Sequence, residues 1–221
     1  MTTSPLDSPD DMPVAGRVIG TEAATPLEFQ VHVAADQFLQ LDDIVSVTRP
    51  VPGQGAIDIY GVVTQVRGFH EGVEYHSDVE KVSAGVMYGR TSEVATVLTT
   101  RLEPEVFLPP VPGNEVRKVA GIKRDRAMFL DKIEPGRRLA AGLHRAGGPV
   151  YVDADFLDGT SGAHVNISGV SGVATKTSYA TFLLHALFHR GSTVLGKSAK
   201  HARALIFNVK GQDLLYLDQP N

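Results

Sequence analysis

The chain has 221 residues, a net charge of −4, no cysteine and no tryptophan. Its 43% hydrophobic and 21% charged content is the balance of a globular protein with one large domain or two small ones. The lack of cysteine excludes disulfides, thiolate metal sites and a cysteine nucleophile, no run reaches the roughly 18 to 20 apolar residues that span a bilayer, and the acidic start MTTSPLDSPDDMP lacks the order of a signal peptide, so the expected location is the cytoplasm with no membrane partner.

Residues 1–12 are polar and proline-bearing and read as a disordered tail. Residues 13–103 read as short strands. LEFQVHV places Leu27, Phe29, Val31 and Val33 on one face and Glu28, Gln30 and His32 on the other, a period of two. DDIVSVTRP, AIDIYGVVTQVRG and SEVATVLTT are similarly rich in β-branched and aromatic residues and are bounded by Gly, Pro and Asp. Such closely spaced runs predict a small closed barrel or sandwich, with Gly61 and Gly68 suited to a bulge or sharp coil of the longest strand. His70 and His76 read as part of a charged hairpin tip.

RLEPEVFLPPVPG, residues 101–113, packs four prolines into a short space and interrupts any ladder. The predicted domain boundary falls here, with residues 104–150 as a proline-rich connector and basic linker. Charge changes along the same path: residues 1–80 sum to −10 and residues 115–145 to +5. The basic block is either a solvated surface with compensating acids or a phosphate-facing or subunit-facing patch.

From residue 151 the pattern becomes α/β, since the compact apolar runs PVYVDADFL, HVNIS and ALIFNV alternate with helix-compatible stretches. In AHVNISGVSGVATKTSYATFLLHALF a strand over His164–Ser168 leads into a loop over Gly169–Thr175 and a helix opening at Lys176-Thr177-Ser178. Apolar residues at 179, 182, 183, 186 and 187 give that helix one sheet-facing stripe, and Gly191 is placed to end it. Phosphate binding requires this order: bare backbone N–H groups, a helix N-terminus, a lysine for the outer phosphates and a hydroxyl for magnesium. The glycine spacing departs from GxxxxGK(S/T). Val170 and Thr175 stand where glycines belong, and Gly169 and Gly172 lie seven and four residues before the lysine. The competing reading is an ordinary strand-to-helix turn with a solvated lysine.

In this setting the chain resembles the HerA/FtsK superfamily of hexameric DNA-translocating ATPases, and within it HerA-type proteins, whose HAS-barrel precedes a RecA-like core. The residues that carry the resemblance are VAGRVIGTEAATPLEFQVHV, QLDDIVSV, YGVVTQV and SEVATVLTT for the barrel, GAHVNISGVSGVATKTS for the nucleotide loop, and RALIFNVKGQDLLYLD for the second core strand and its exit. There Asn208 and Gln212 replace an aspartate and a glutamate common in relatives. The resemblance implies a β-barrel N-terminal domain followed by an incomplete α/β (RecA-like P-loop) domain over residues 151–221. It also implies ATP and magnesium as cofactors, a homo-oligomeric, hexameric ring, DNA as substrate, and a nuclease or other effector as partner. By position, Gly169, Gly172, Val173, Ala174, Thr175, Lys176, Thr177 and Ser178 would form the nucleotide site, with Lys176 on the β- and γ-phosphates and Thr177 on magnesium through its hydroxyl.

Hydrolysis further requires a second acidic strand and usually an arginine from a neighbouring subunit. Asp218 in LLYLDQ follows residues 204–209 too closely for the crossover a parallel neighbour needs. The chain therefore reads as the front end of a longer motor that binds ATP without turning it over. The alternative is a non-enzymatic barrel interaction module with a vestigial nucleotide loop. Single-stranded nucleic-acid binding by the barrel ranks last, because that half is acidic and lacks clustered aromatics among basic residues. DADFLDG at 153–159 fails as a calcium loop, with Asp158 where glycine belongs. His185 and His189, at i and i+4, lack a third metal ligand and read as a polar helix flank. Ser171 lacks the GxSxG frame of a nucleophile and reads as loop lining.

Overall fold

The computed structural model describes residues 13–207 apart from 146, 160, 163, 170–174 and 197–199, together with 214, 215 and 217. The chain divides into two compact units between Asp131 and Lys132. The tail over residues 1–12 lies outside the described residues.

The first unit is a closed antiparallel barrel of six strands: β1 (Val14–Val18), β2 (Glu28–Val33), β3 (Ile44–Val51), β4 (Gly55–Glu71), β5 (Arg90–Glu103) and β6 (Glu115–Lys118), in the order β1-β2-β5-β4-β3-β6. The period-two pattern of the sequence aims the strands inward. Phe29, Val31 and Val33 of β2 are buried, and they meet Val45, Val47, Ile57, Ile59, Val63, Val97 and Val116 from the other strands. Leu27, expected on the same face, lies just before β2 and is exposed, because the ladder begins one residue after it. The β4–β5 register shifts between Tyr60 and Gly61 and again between Val63 and Gln65. A Cβ at Gly61 would sit 2.5 Å from Val97 Cγ1 and 2.7 Å from the Leu98 carbonyl oxygen, so the expected irregularity is real there. Gly68 instead pairs in regular register with Glu93, with open space above it.

The sequence ends the barrel before the prolines, whereas the structure carries it beyond them. β6 pairs with both β1 and β3 and closes the cylinder. The proline-rich stretch breaks the ladder as expected but folds back, lodging Val106 and Leu108 against the core and burying Pro110. The charges of β6, read as part of either a solvated surface or a phosphate- or subunit-facing patch, bridge the two seams. Arg17 pairs with Glu115 at 3.0 Å, and Lys118 pairs with Asp43 at 2.9 Å. Helix α2 (Gly121–Ala127) then tucks Ala127 against Ile44 and Tyr60. Arg101 fastens it: its Nη1 donates to the Arg126 carbonyl at 2.8 Å and meets Asp131 at 2.6 Å, its Nη2 pairs with Glu103, and Phe129 lies under the guanidinium.

Among the described strands β4 outruns β3, which stops opposite Val62, and β5 outruns β2, which stops opposite Val94. Gly68–Glu71 and Arg90–Glu93 therefore project as a two-stranded arm. Its tip is not a tight hairpin but residues 72–89, which carry helix α1 (Asp78–Ser83). Asp78 is buried there, accepting from Lys81 Nζ at 2.8 Å and from the Tyr75 amide at 3.2 Å.

The second unit contains a two-stranded antiparallel sheet, β7 (Arg138–Leu143) with β8 (Pro149–Asp153), and helix α3 (Thr175–Val194). Leu139, Ala154, Val194 and Leu195 form its small core, with Val152, Leu157, Ala186 and Leu187 packed around them. The expected strands His164–Ser168 and 204–209 are not strands within their described residues, which lack ladder partners. The strand-rich composition of both runs is satisfied by no neighbour to pair with among the described residues. Asn208, Gln212 and Asp218 lie outside them.

Candidate nucleotide-binding site

Helix α3 carries the predicted apolar positions 179, 182, 183, 186 and 187, although only seven of its 20 residues are Ala, Leu, Lys or Arg and the rest are weaker helix formers. The C-terminal part of the stripe, Ala186 and Leu187, packs on the unit's core. The N-terminal part does not, since Tyr179 and Phe182 remain 40% and 44% exposed. Tyr179 is nevertheless oriented, its hydroxyl donating to the Ala141 carbonyl of β7 at 2.9 Å. The helix does not stop at Gly191 but continues to Val194. Val194 and Leu195 provide a buried anchor at its end, which outweighs the roughly 1 kcal/mol by which a helical glycine is disfavoured.

Of the predicted site residues, Gly172, Val173 and Ala174 lie outside the described residues. Thr175 is the first residue of α3, and Lys176, Thr177 and Ser178 complete its first turn. The first four N–H groups of a helix have no intrahelical acceptor, so the turn presents donors and the positive end of the helix dipole. Lys176 Nζ donates to the Gly169 carbonyl at 2.9 Å. Gly169 is thereby brought to the lysine despite the seven-residue separation. Thr177 and Ser178 are exposed, and their carbonyls accept from Thr181 Oγ1 at 2.9 and 3.0 Å.

Beside this turn is an open cavity of about 1030 Å³, bounded by Lys176, Ser178, Tyr179 and Phe182 of α3, by Val165–Ser168, and by Asp153 and Phe156. Sequence reasoning missed its aromatic wall: Tyr179 and Phe182 scored only as a sheet-facing stripe, and nothing marked that half of the stripe as uncovered. Of the residues that bound it, Lys176, Ser168 and Ser178 could serve an anion, while Asp153 adds a carboxylate and most of the wall is apolar. For magnesium the turn offers the Thr177 hydroxyl, and no group of three or more His, Asp or Glu side chains converges among the described residues. Mg²⁺ is commonly held by one or two carboxylates plus phosphate oxygens. The residues present therefore fit the phosphates of a nucleotide better than they fit its metal.

The acids of DADFLDG have structural work that accounts for them. Asp153 accepts from the Asp155 amide at 3.0 Å, capping a single 3₁₀ turn. Asp155 and Asp158 both meet Arg137, whose other arm donates to the Val194 carbonyl at 2.6 Å, at the negative end of the α3 dipole. The Asp158 hydrogen bond, followed by that of Asp155, holds the Arg137 guanidinium above its usual range despite partial burial. His185 and His189 stack with ring centroids 4.8 Å apart and border a second cavity of about 740 Å³ with Phe188 and Ile206.

No family model and no curated protein matches this chain.

Proposed function

We propose that the chain is an ATP-binding portion of a HerA-like DNA-translocating ATPase. In this reading the barrel serves as a docking module for neighbouring subunits and an effector, and the loop-to-α3 junction receives the nucleotide. The observation that carries the reading is Lys176, in the first turn of a 20-residue helix with its ammonium hydrogen-bonded to the Gly169 carbonyl. A bound phosphate would replace the Gly169 carbonyl as the partner of that ammonium, with the α3 amides around it. Thr177 would add its hydroxyl to magnesium, which supplies charge neutralisation of the phosphates when bound. The motifs of this sequence include no acidic strand end to orient magnesium and water, so binding without turnover is the expected behaviour of these 221 residues.

A second reading has its own observation. The barrel is closed and complete, while residues 164–168 and 204–207 form no sheet. That favours a non-enzymatic barrel interaction module in which α3 only packs. Titration with a fluorescent ATP analogue and Mg²⁺, beside Lys176→Ala, separates the two. The nucleotide reading expects saturable binding that weakens at least tenfold in the variant; equal signals from both proteins leave the interaction module.

A further inference from the structure

Ser92 is one of two buried polar side chains among the described residues, and it sits where the β4–β5 arm leaves the barrel. Its hydroxyl joins three strands. Ser92 Oγ of β5 lies 2.7 Å from Glu71 Oε1 of β4 and 3.3 Å from His32 Nε2 of β2. His32 stands opposite Val94, the residue of β5 at which β2 stops, and Glu71 stands opposite Arg90 at the outer end of the arm's ladder. The three side chains therefore tie the arm to the strand beside its base.

The supply of hydrogens fixes their roles. A carboxylate only accepts, so the single hydroxyl hydrogen of Ser92 goes to Glu71. The Ser92 oxygen then accepts from His32, whose Nε2 must carry a hydrogen. This leaves Nδ1 as the nitrogen that takes up a proton when the ring becomes charged. Protonation there breaks neither hydrogen bond. It turns the His32 donor from neutral to cationic, and charge-assisted hydrogen bonds are about twice as strong as neutral ones. Around the ring, Arg17 of β1 stands opposite His32 and is held by Glu115 at 3.0 Å. A cavity of about 260 Å³ beside it is bounded by Arg90 and Glu93 of β5 and by Gln37 and Phe38 of the loop after β2, in which Asp36 is exposed. Glu71, Glu93, Glu115 and Asp36 are thus set against Arg17 and Arg90, a balance that accommodates a positive ring.

We propose that His32, Ser92 and Glu71 form a pH-sensitive clasp that seats the arm on the barrel more firmly when His32 is protonated. Histidine changes its charge between about pH 5 and 8. A proton bound more tightly with the clasp closed than with it open contributes stability at low pH, and that contribution is lost as pH rises. The arm is therefore held most firmly in mildly acidic solution and loosens toward about pH 8. The inference rests on the first unit alone and is independent of the nucleotide reading.

Hydrogen exchange of the full chain between about pH 5.5 and about pH 8, compared at matched intrinsic rates, tests it at residues 68–71 and 90–93. Protection at the acidic end should exceed that at the basic end by at least about threefold. His32→Gln keeps an N–H donor that cannot titrate and should make protection equal at the two ends. Ser92→Ala should lower protection throughout and also abolish the difference. His70→Gln and His76→Gln, which remove the other two histidines of the β4–β5 segment, should preserve it. Circular dichroism verifies that each variant folds. Flat protection across this range in the natural chain overturns the proposal, as does a pH dependence that survives both His32→Gln and Ser92→Ala or that vanishes with His70→Gln or His76→Gln.

Discussion

Arg101→Ala removes the side chain that fixes α2 to the barrel. The guanidinium is 9% exposed and serves the Glu103 and Asp131 carboxylates, the Arg126 carbonyl and the Phe129 ring. Hydrogen bonds to charged groups contribute about 1.5–3 kcal/mol each, and removing one partner of a buried pair costs about 3–5 kcal/mol. Glu103 and Asp131 are 27% and 31% exposed, so water recovers part of that loss. The expected net loss is about 3 kcal/mol, and at roughly 3–4 °C per kcal/mol for a unit of this size the barrel transition should fall by about 10 °C. Arg101→Lys keeps the charge but not the planar fork and should lose about half as much. Differential scanning calorimetry reads the shift, and hydrogen exchange should show the α2 amides loosening first. A drop under 3 °C for Arg101→Ala, or a Lys variant as damaged as Ala, would refute the account of Arg101 as a multidentate clamp.

Gly61→Val should cost about 1–3 kcal/mol by overpacking against Val97 and Leu98, while Gly68→Ala, with nothing within 4 Å of its Cβ, should leave urea midpoints unchanged. Arg137→Ala strands Asp155 and Asp158 side by side and frees the Val194 carbonyl; exchange at the C-terminal turn of α3 should accelerate by at least tenfold, and unaltered exchange would remove Arg137 as its anchor. The Lys81 hydrogen bond holds Asp78 below the usual carboxylate range. A depressed folded pKa contributes stability above the unfolded value and loses it as pH falls through the folded one. Opening of residues 74–89 should therefore increase below about pH 4, and Asp78→Asn should remove that acid dependence when followed by hydrogen exchange at matched intrinsic rates.

The barrel was legible in the sequence wherever burial enforced a period of two. Phe29, Val31 and Val33 sit as the pattern places them, and Gly61 marks a true bulge. The closing strand was not legible. β6 is four residues, EVRK, with only Val116 fully buried, so alternation had nothing to repeat and the charges of Lys118 and Glu115 read as solvent-facing. Their partners, Asp43 and Arg17, are distant in sequence, and no local rule announces them. At the candidate site the sequence located the helix start and its lysine, because N-terminal signals are local. It misjudged the helix end, where burial of Val194 and Leu195 overrode Gly191. It also expected strands at 164–168 and 204–209 from composition, and a strand needs a neighbour that composition cannot supply.

The position of β6 also sets when the barrel can come into being. Strand β1 pairs with a segment about a hundred residues later, so an emerging chain holds β1 and β3 with open edges until Glu115–Lys118 has been synthesised. At about 5–20 residues per second that interval is on the order of five to twenty seconds, during which unpaired edges invite pairing with other chains. Such nonlocal closure also makes for slow folding. Arg17 and Asp43, which later pair across the seams, lie near those edges from the start, and their charges oppose premature strand addition while the last strand is still being made.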